Sequence, residues 1–165
     1  LSIQSSSDFA FGAGDFTVEL WVRPTELSSS QHIIGLWGSS AETCSWHVGI
    51  GDAGSIFLEI STSGVYEVEH SFETPTGFAA VDAWTHICVA RSGNLFNIHV
   101  NGLLIYSQNV SITLFDVAAS LRVGLNSSDT QPFNGYIDDL RITKGIARYT
   151  ADFTPPVASL PNVGP

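Results

Sequence analysis

The sequence predicts an all-β fold, an antiparallel sandwich or barrel, and three observations predict it. Apolar and polar residues alternate with period two in one segment after another. Short Gly-, Asn- and Ser-containing turns separate these segments at roughly 8–12 residue spacing. Helical periodicity is nearly absent, the best candidate being one turn, Gly145-Ile146-Ala147-Arg148-Tyr149.

The first long segment is Phe16-Thr17-Val18-Glu19-Leu20-Trp21-Val22-Arg23. It puts Phe16, Val18, Leu20 and Val22 on one face and Thr17, Glu19, Trp21 and Arg23 on the other. Pro24 lacks an N–H and is expected to end the strand. Strands follow over 32–37, 45–50, 55–61, 65–72, 84–91, 95–100, 103–108, 120–125 and 135–143. Asn101-Gly102 is the strongest two-residue hairpin signal, and Ser92-Gly93-Asn94, Asp52-Ala53-Gly54 and Thr62-Ser63-Gly64 play the same part. Two facing sheets would bury Phe16, Val18, Leu20, Trp46, Val48, Ile50, Ile56, Leu58 and Ile60. His47, Glu59, Glu67 and Glu69 are left outside, where they form either a solvated sheet face or, if the sheet curves, an acidic concavity.

The chain has 165 residues, 44% hydrophobic and 13% charged, with a formal charge of −10. Its 18 aromatic residues (4 Trp, 4 Tyr, 10 Phe) supply enough surface to bury that disorder is excluded. The acidity argues against nucleic acid and anionic membranes as partners. Every apolar run stops well short of the ~18 residues a membrane helix needs, so no membrane insertion is expected. The expected organisation is one domain over residues 1–156 and an extended Pro-containing tail over 157–165, as in a segment of a longer polypeptide. Cys44 and Cys88 allow one disulfide or two buried free thiols.

Three stretches carry a resemblance. Asp15-Phe16-Thr17-Val18-Glu19-Leu20-Trp21-Val22-Arg23-Pro24 is similar to the first long strand of laminin-G-like domains of the concanavalin A-like superfamily. Trp84-Thr85-His86-Ile87-Cys88-Val89-Ala90-Arg91-Ser92-Gly93, continuing to Ile98-His99-Val100-Asn101-Gly102, resembles the central hairpin. Phe133-Asn134-Gly135-Tyr136-Ile137-Asp138-Asp139-Leu140-Arg141-Ile142 resembles the closing strand. The run from Lys144 to Pro156 is similar to a variant found in bacteriophage structural and tail proteins. The resemblance implies an all-β, two-sheet antiparallel jelly-roll sandwich, often a sugar-binding or adhesive module.

Alternation in the closing strand puts Asp138 on a face with Tyr136, Leu140 and Ile142. A carboxylate buried there needs N–H donors, a cation or protonation. The resemblance implies a structural Ca²⁺ at Asp138, in which case a chelator would lower the melting temperature; the alternative is a carboxylate bonded to loop amides. Asp139 is expected to be exposed and to pair with Arg141 or Arg148. His32, His47, His70, His86 and His99 lack zinc-site spacing. Related glycosidases carry Glu-x-Asp-x-x-Glu on one strand, and Glu67-Val68-Glu69-His70-Ser71-Phe72-Glu73 departs from that spacing, so no enzyme is expected.

Sugar binding calls for aromatic platforms and polar groups on loops at a sandwich edge. The candidates are Trp37 and Glu42 in one loop, Asp52 in the next turn, Tyr66, and Asn126 with Asp129. Trp21 and Trp84 fall in regular strands and are expected to be structural. The reading is a non-catalytic binding or adhesion module of a larger virion or extracellular protein. Its expected partners are a glycan or cell-surface polysaccharide, other domains of the parent chain, and a second copy in a homo-oligomer. The alternatives are a module for assembly alone and, third, a glycosidase.

Overall fold

The computed structural model describes residues 1–39, 43–126 and 130–160. Eleven strands form two antiparallel sheets. One has six strands: β1 (Ser2–Ile3), β10 (Leu121–Val123), β3 (Gln31–Trp37), β4 (Cys44–Ile50), β5 (Ile56–Ile60) and β6 (His70–Glu73), in that spatial order. The other has five: β11 (Gly135–Lys144), β2 (Phe16–Pro24), β7 (Thr85–Ser92), β8 (Leu95–Val100) and β9 (Leu103–Asn109). The order is that of a jelly-roll sandwich, because chain neighbours β1 and β2 lie in different sheets and β10 returns between β1 and β3.

The core lies between the layers, and all nine residues expected there are fully buried. Cross-strand rows build it: Ile34, Val48, Leu58 and Phe72 stand opposite one another, as do Leu36, Trp46 and Ile60. Phe16 stacks on Phe11 at 4.3 Å between ring centroids, and Phe11 on Trp46 at 4.9 Å. Asn101 (φ 50°) and Gly102 (φ 81°) both enter the left-handed region, as a two-residue hairpin turn that follows the strand twist requires. Buried Arg91 donates to the carbonyls of Gly93, Gly12 and Ile112, tying three loops together.

Four expectations are corrected. Only the end of segment 65–72 is strand, because Glu69 gathers the backbone N–H groups of Thr62 and Ser63 and the hydroxyls of Ser61, Thr62 and Ser63 into a closed turn. No helical turn forms at residues 145–149; the helical elements among the described residues are two short 3-10 turns, Ser7–Phe9 and Asp52–Gly54. The segment after β11 instead lies along the sheet. Thr17 donates its hydroxyl to the Ile146 carbonyl and accepts from the Arg148 N–H, and Phe153 N–H bonds the Gly102 carbonyl.

The outer face of β2 is therefore not open, and Thr17 and Glu19 are fully buried. Asp138 is the fourth correction. A bulge between Asp138 and Arg141 shifts the register, so Asp138 faces Trp21 and Arg141 faces Glu19, both on the outer side. Asp138 is exposed and its Oδ1 accepts the Asp139 N–H. Cys44 and Cys88 lie in different sheets as free, buried thiols. No helix of the structure is long and apolar enough to cross a membrane.

Candidate functional site

The outer face of the six-stranded sheet carries two adjacent cross-strand rows. His32, Gly49, Phe57 and Glu73 form one; Gly35, His47, Glu59 and Ser71 form the other. The glycines explain how bulky rings lie close to the sheet. A Cβ on Gly49 would come within 2.2 Å of the Phe57 ring, and one on Gly35 within 2.4 Å of His47 Cβ. Without those side chains the rings close over the backbone.

The result is a continuous aromatic floor. His32 stacks on His47 at 3.8 Å and 11°, Trp37 lies 4.5 Å from His47, and Phe57 meets His47 edge-on at 5.4 Å. Ser30, Asp52, Glu59, Tyr66, Val68, Glu73 and Gln131 rise around it to make a pocket of about 380 Å³. That volume is within the range of small-ligand sites.

The electrostatics of the floor follow from burial. His32 and His47 are each pushed down to about 3, His32 by burial and then by its neighbour His47, and His47 by burial. Burial raises the Glu59 carboxyl, with a partly opposing influence from His32. His47 Nε2 and Glu59 Oε2 are 2.5 Å apart, joined by a hydrogen bond. His47 Nδ1 is buried and has no hydrogen-bond partner among the described residues. Glu73 accepts the Ser55 hydroxyl at 2.5 Å.

Of the sequence candidates, the pocket brings together Trp37, Asp52 and Tyr66. Trp37 is almost covered, whereas Tyr66 is 51% exposed and stands free at the rim. Asn126 is buried and braces its own loop, donating to Thr130 and accepting the Thr130 N–H. Glu42 and Asp129 lie outside the described residues. His32, Phe57 and Glu73 were missed; glycines inside two apolar strands were the available signal.

The burial that would call for a cation at Asp138 is absent, because its carboxylate is exposed; among the described residues no three His, Cys, Asp or Glu side chains are placed to hold a metal ion together. The buried carboxylate of this sheet is Glu19. Burial would raise its pKa, but the His86 ring 3.5 Å away and the hydrogen-bonded Arg141 guanidinium hold it below the usual range. Arg141 therefore pairs with Glu19, not Asp139, and Arg148 bonds the Thr143 hydroxyl. Trp84 is 44% exposed, beside Trp21, Asp138 and Val157, and is not the core residue its strand position suggested.

Comparison with known proteins places the fold. No curated protein matches the chain. Among solved structures, a Bacteroides ovatus protein described as a candidate carbohydrate-binding protein is 17% identical, with a TM-score of 0.67 over 90% of this chain and 41% of its own. The chain thus spans well under half of that protein. The CBM40 domain of the Ruminococcus gnavus intramolecular trans-sialidase, bound to α2,3-sialyllactose, is 12% identical, with a TM-score of 0.68 over 91% of each chain. Domain 4 of AbnA, an extracellular GH43 arabinanase of Geobacillus stearothermophilus, in complex with arabinotriose, is 21% identical, with a TM-score of 0.63 over 88% of this chain and 66% of its own. At these identities the likeness is one of fold. Residues 2–147 match the family Laminin_G_3, and the chain accordingly belongs to this family of the concanavalin A-like lectin/glucanases superfamily.

Proposed function

We propose that the domain is a non-catalytic glycan-binding module of a larger extracellular or virion protein, and that it takes its ligand in the pocket on the six-stranded sheet. The observation that carries this reading is an aromatic floor ringed by hydroxyl-accepting groups: Phe57, His47, His32 and Trp37 below, Asp52, Glu73 and Gln131 above, Tyr66 at the rim. Aromatic faces suit sugar C–H surfaces and carboxylates accept from hydroxyl pairs. The sugar-bound folds of similar shape support it. The virion setting is supported by the phage-like run from Lys144 to Pro156.

A hydrolase is disfavoured by the acids themselves. Glu69 is engaged by the 61–63 turn, Glu73 by Ser55, and Glu67 lies in the loop before β6, so the three do not line up on one strand. A second reading, assembly of copies through the other sheet, is favoured by exposed Trp84 and Tyr136.

A glycan array followed by calorimetry tests the proposal. The intact chain should bind at least one glycan without hydrolysing it, and Tyr66→Ala should weaken that binding about tenfold, roughly 1.4 kcal/mol. Unchanged binding in Tyr66→Ala would move the site elsewhere. No binding together with stable oligomers would favour assembly.

A further inference from the structure

We infer that the pocket selects uncharged glycans and rejects those whose contacting sugar bears a carboxylate, sialic and uronic acids included. This rests on the glycan-binding reading above and names the ligand class for the same site. The lysine and arginine side chains all lie away from this pocket. The chain has six Lys and Arg residues. Arg23, Arg91, Arg141 and Lys144 lie on strands of the five-stranded sheet, and Arg148 on the segment that follows it.

All five donate hydrogen bonds to protein oxygens outside the pocket lining. Arg91 holds three loop carbonyls, Arg141 holds Glu19, Lys144 donates to the Ser7 carbonyl, and Arg148 donates to Thr143. Arg23 pairs with Asp82 at 3.2 Å and lies over the Tyr136 ring. The sixth, Arg122, stands opposite Gly35 at the β10 end of the His47–Glu59 row, on the pocket's own face, but lines a separate hollow with Gly38, Ser39, Thr43, Ala119 and Ser120. Trp37 borders both hollows and stands between them.

The pocket lining therefore holds no Lys or Arg, and its acids are Asp52, Glu59 and Glu73. Its two histidines add no positive charge near neutral pH, because burial pushes both imidazoles down to about 3. A ligand carboxylate entering here would lose water and meet like charge, with only the neutral donors Ser30, Tyr66 and Gln131 and no guanidinium or ammonium to receive it. A neutral sugar meets the same groups as acceptors for its hydroxyls. Rejection built from like charge is as effective a source of specificity as attraction.

The test prints matched pairs on one array, each neutral oligosaccharide beside its acidic counterpart: lactose with 3′-sialyllactose, and methyl-esterified with free oligogalacturonate. At about 0.15 M salt the intact chain should bind a neutral member at least tenfold more tightly than its acidic partner. Glu73→Lys should narrow that gap, while circular dichroism shows the fold unchanged. An acidic member bound as tightly as its neutral partner overturns the inference and leaves the glycan reading standing. If Arg122→Gln then removes that binding, the carboxylate sits beyond Trp37. Silence across all pairs overturns the glycan reading, and this inference with it.

Discussion

Arg141 closes on Glu19 across β11 and β2, its Nη2 2.6 Å and its Nε 2.8 Å from the same carboxylate oxygen. Glu19 is fully buried and Arg141 nearly so. Removing one partner strands a charge away from water, which costs about 3–5 kcal/mol. Arg141→Met should lower stability by that order in urea denaturation, and adding Glu19→Leu should restore much of the loss. Additive losses in the double variant would show that the pair is not coupled.

The stacked imidazoles give the fold an acid sensitivity. His32 and His47 have folded pKa values of about 3, against 6.5 when free. Between those values the unfolded chain binds protons that the folded chain excludes, so stability is intact above 6.5 and falls as the pH drops toward 3. The slope is at most about 1.4 kcal/mol per pH unit for each imidazole. Glu59, raised in the folded state, works in the opposite sense and offsets part of it. Urea midpoints at pH 7 and pH 5.5 should differ clearly in the native chain and less in His32→Gln. Equal slopes in the two would place the sensitivity elsewhere.

Gly49 sets the depth of the pocket. An alanine Cβ would lie 2.2 Å from the Phe57 ring and 2.6 Å from the Gln31 carbonyl oxygen. Gly49→Ala should cost about 1–3 kcal/mol, as overpacking does, and should reduce glycan affinity along with it. A variant as stable and as tight-binding as the native chain would contradict the packing described for the floor.

The segment after β11 protects the outer face of the five-stranded sheet. Tyr149 and Phe153 stack at 3.6 Å, and Phe153 meets His86 and His99 edge-on. Beneath lies Cys88, fully buried, its thiol raised well above the ordinary value by burial and then by Glu19. An aromatic disulfide reagent should leave both cysteines of the intact chain unmodified. Tyr149→Ala with Phe153→Ala should speed labelling of Cys88 at least tenfold and leave Cys44 unchanged. Slow labelling of Cys88 in that variant would mean that other groups cover it.

The chelator experiment now has a different expected result. Exposed Asp138 bonds its neighbour's N–H, so EDTA and Asp138→Asn should each leave the melting temperature unchanged. A fall of several degrees in EDTA would restore the calcium expectation.

What could be read from the sequence was whatever depends on residues near one another in the chain. The inward rows at Phe16, Val18 and Leu20 and at Trp46, Val48 and Ile50 were legible because alternation assigns a face directly. Asp138 was misplaced because that reading assumes an unbroken ladder, and one extra residue before Arg141 reverses every later face. Alternation puts Glu19 on the outward face, and nothing local announces that residues 145–153 fold back over it. Trp37, Asp52 and Tyr66 were found as candidates one by one. That they meet His32, Phe57 and Glu73 depends on three successive strand pairings, His32 with Gly49, Gly49 with Phe57 and Phe57 with Glu73, which no single segment encodes.

Lys144, the molecule's only lysine, sits at the end of β11, on the opposite layer from the aromatic floor. It is thus the one side chain open to amine chemistry. A sensor chip or bead coupled through Lys144 would hold the protein by the layer opposite the proposed pocket and leave that pocket turned toward the sample.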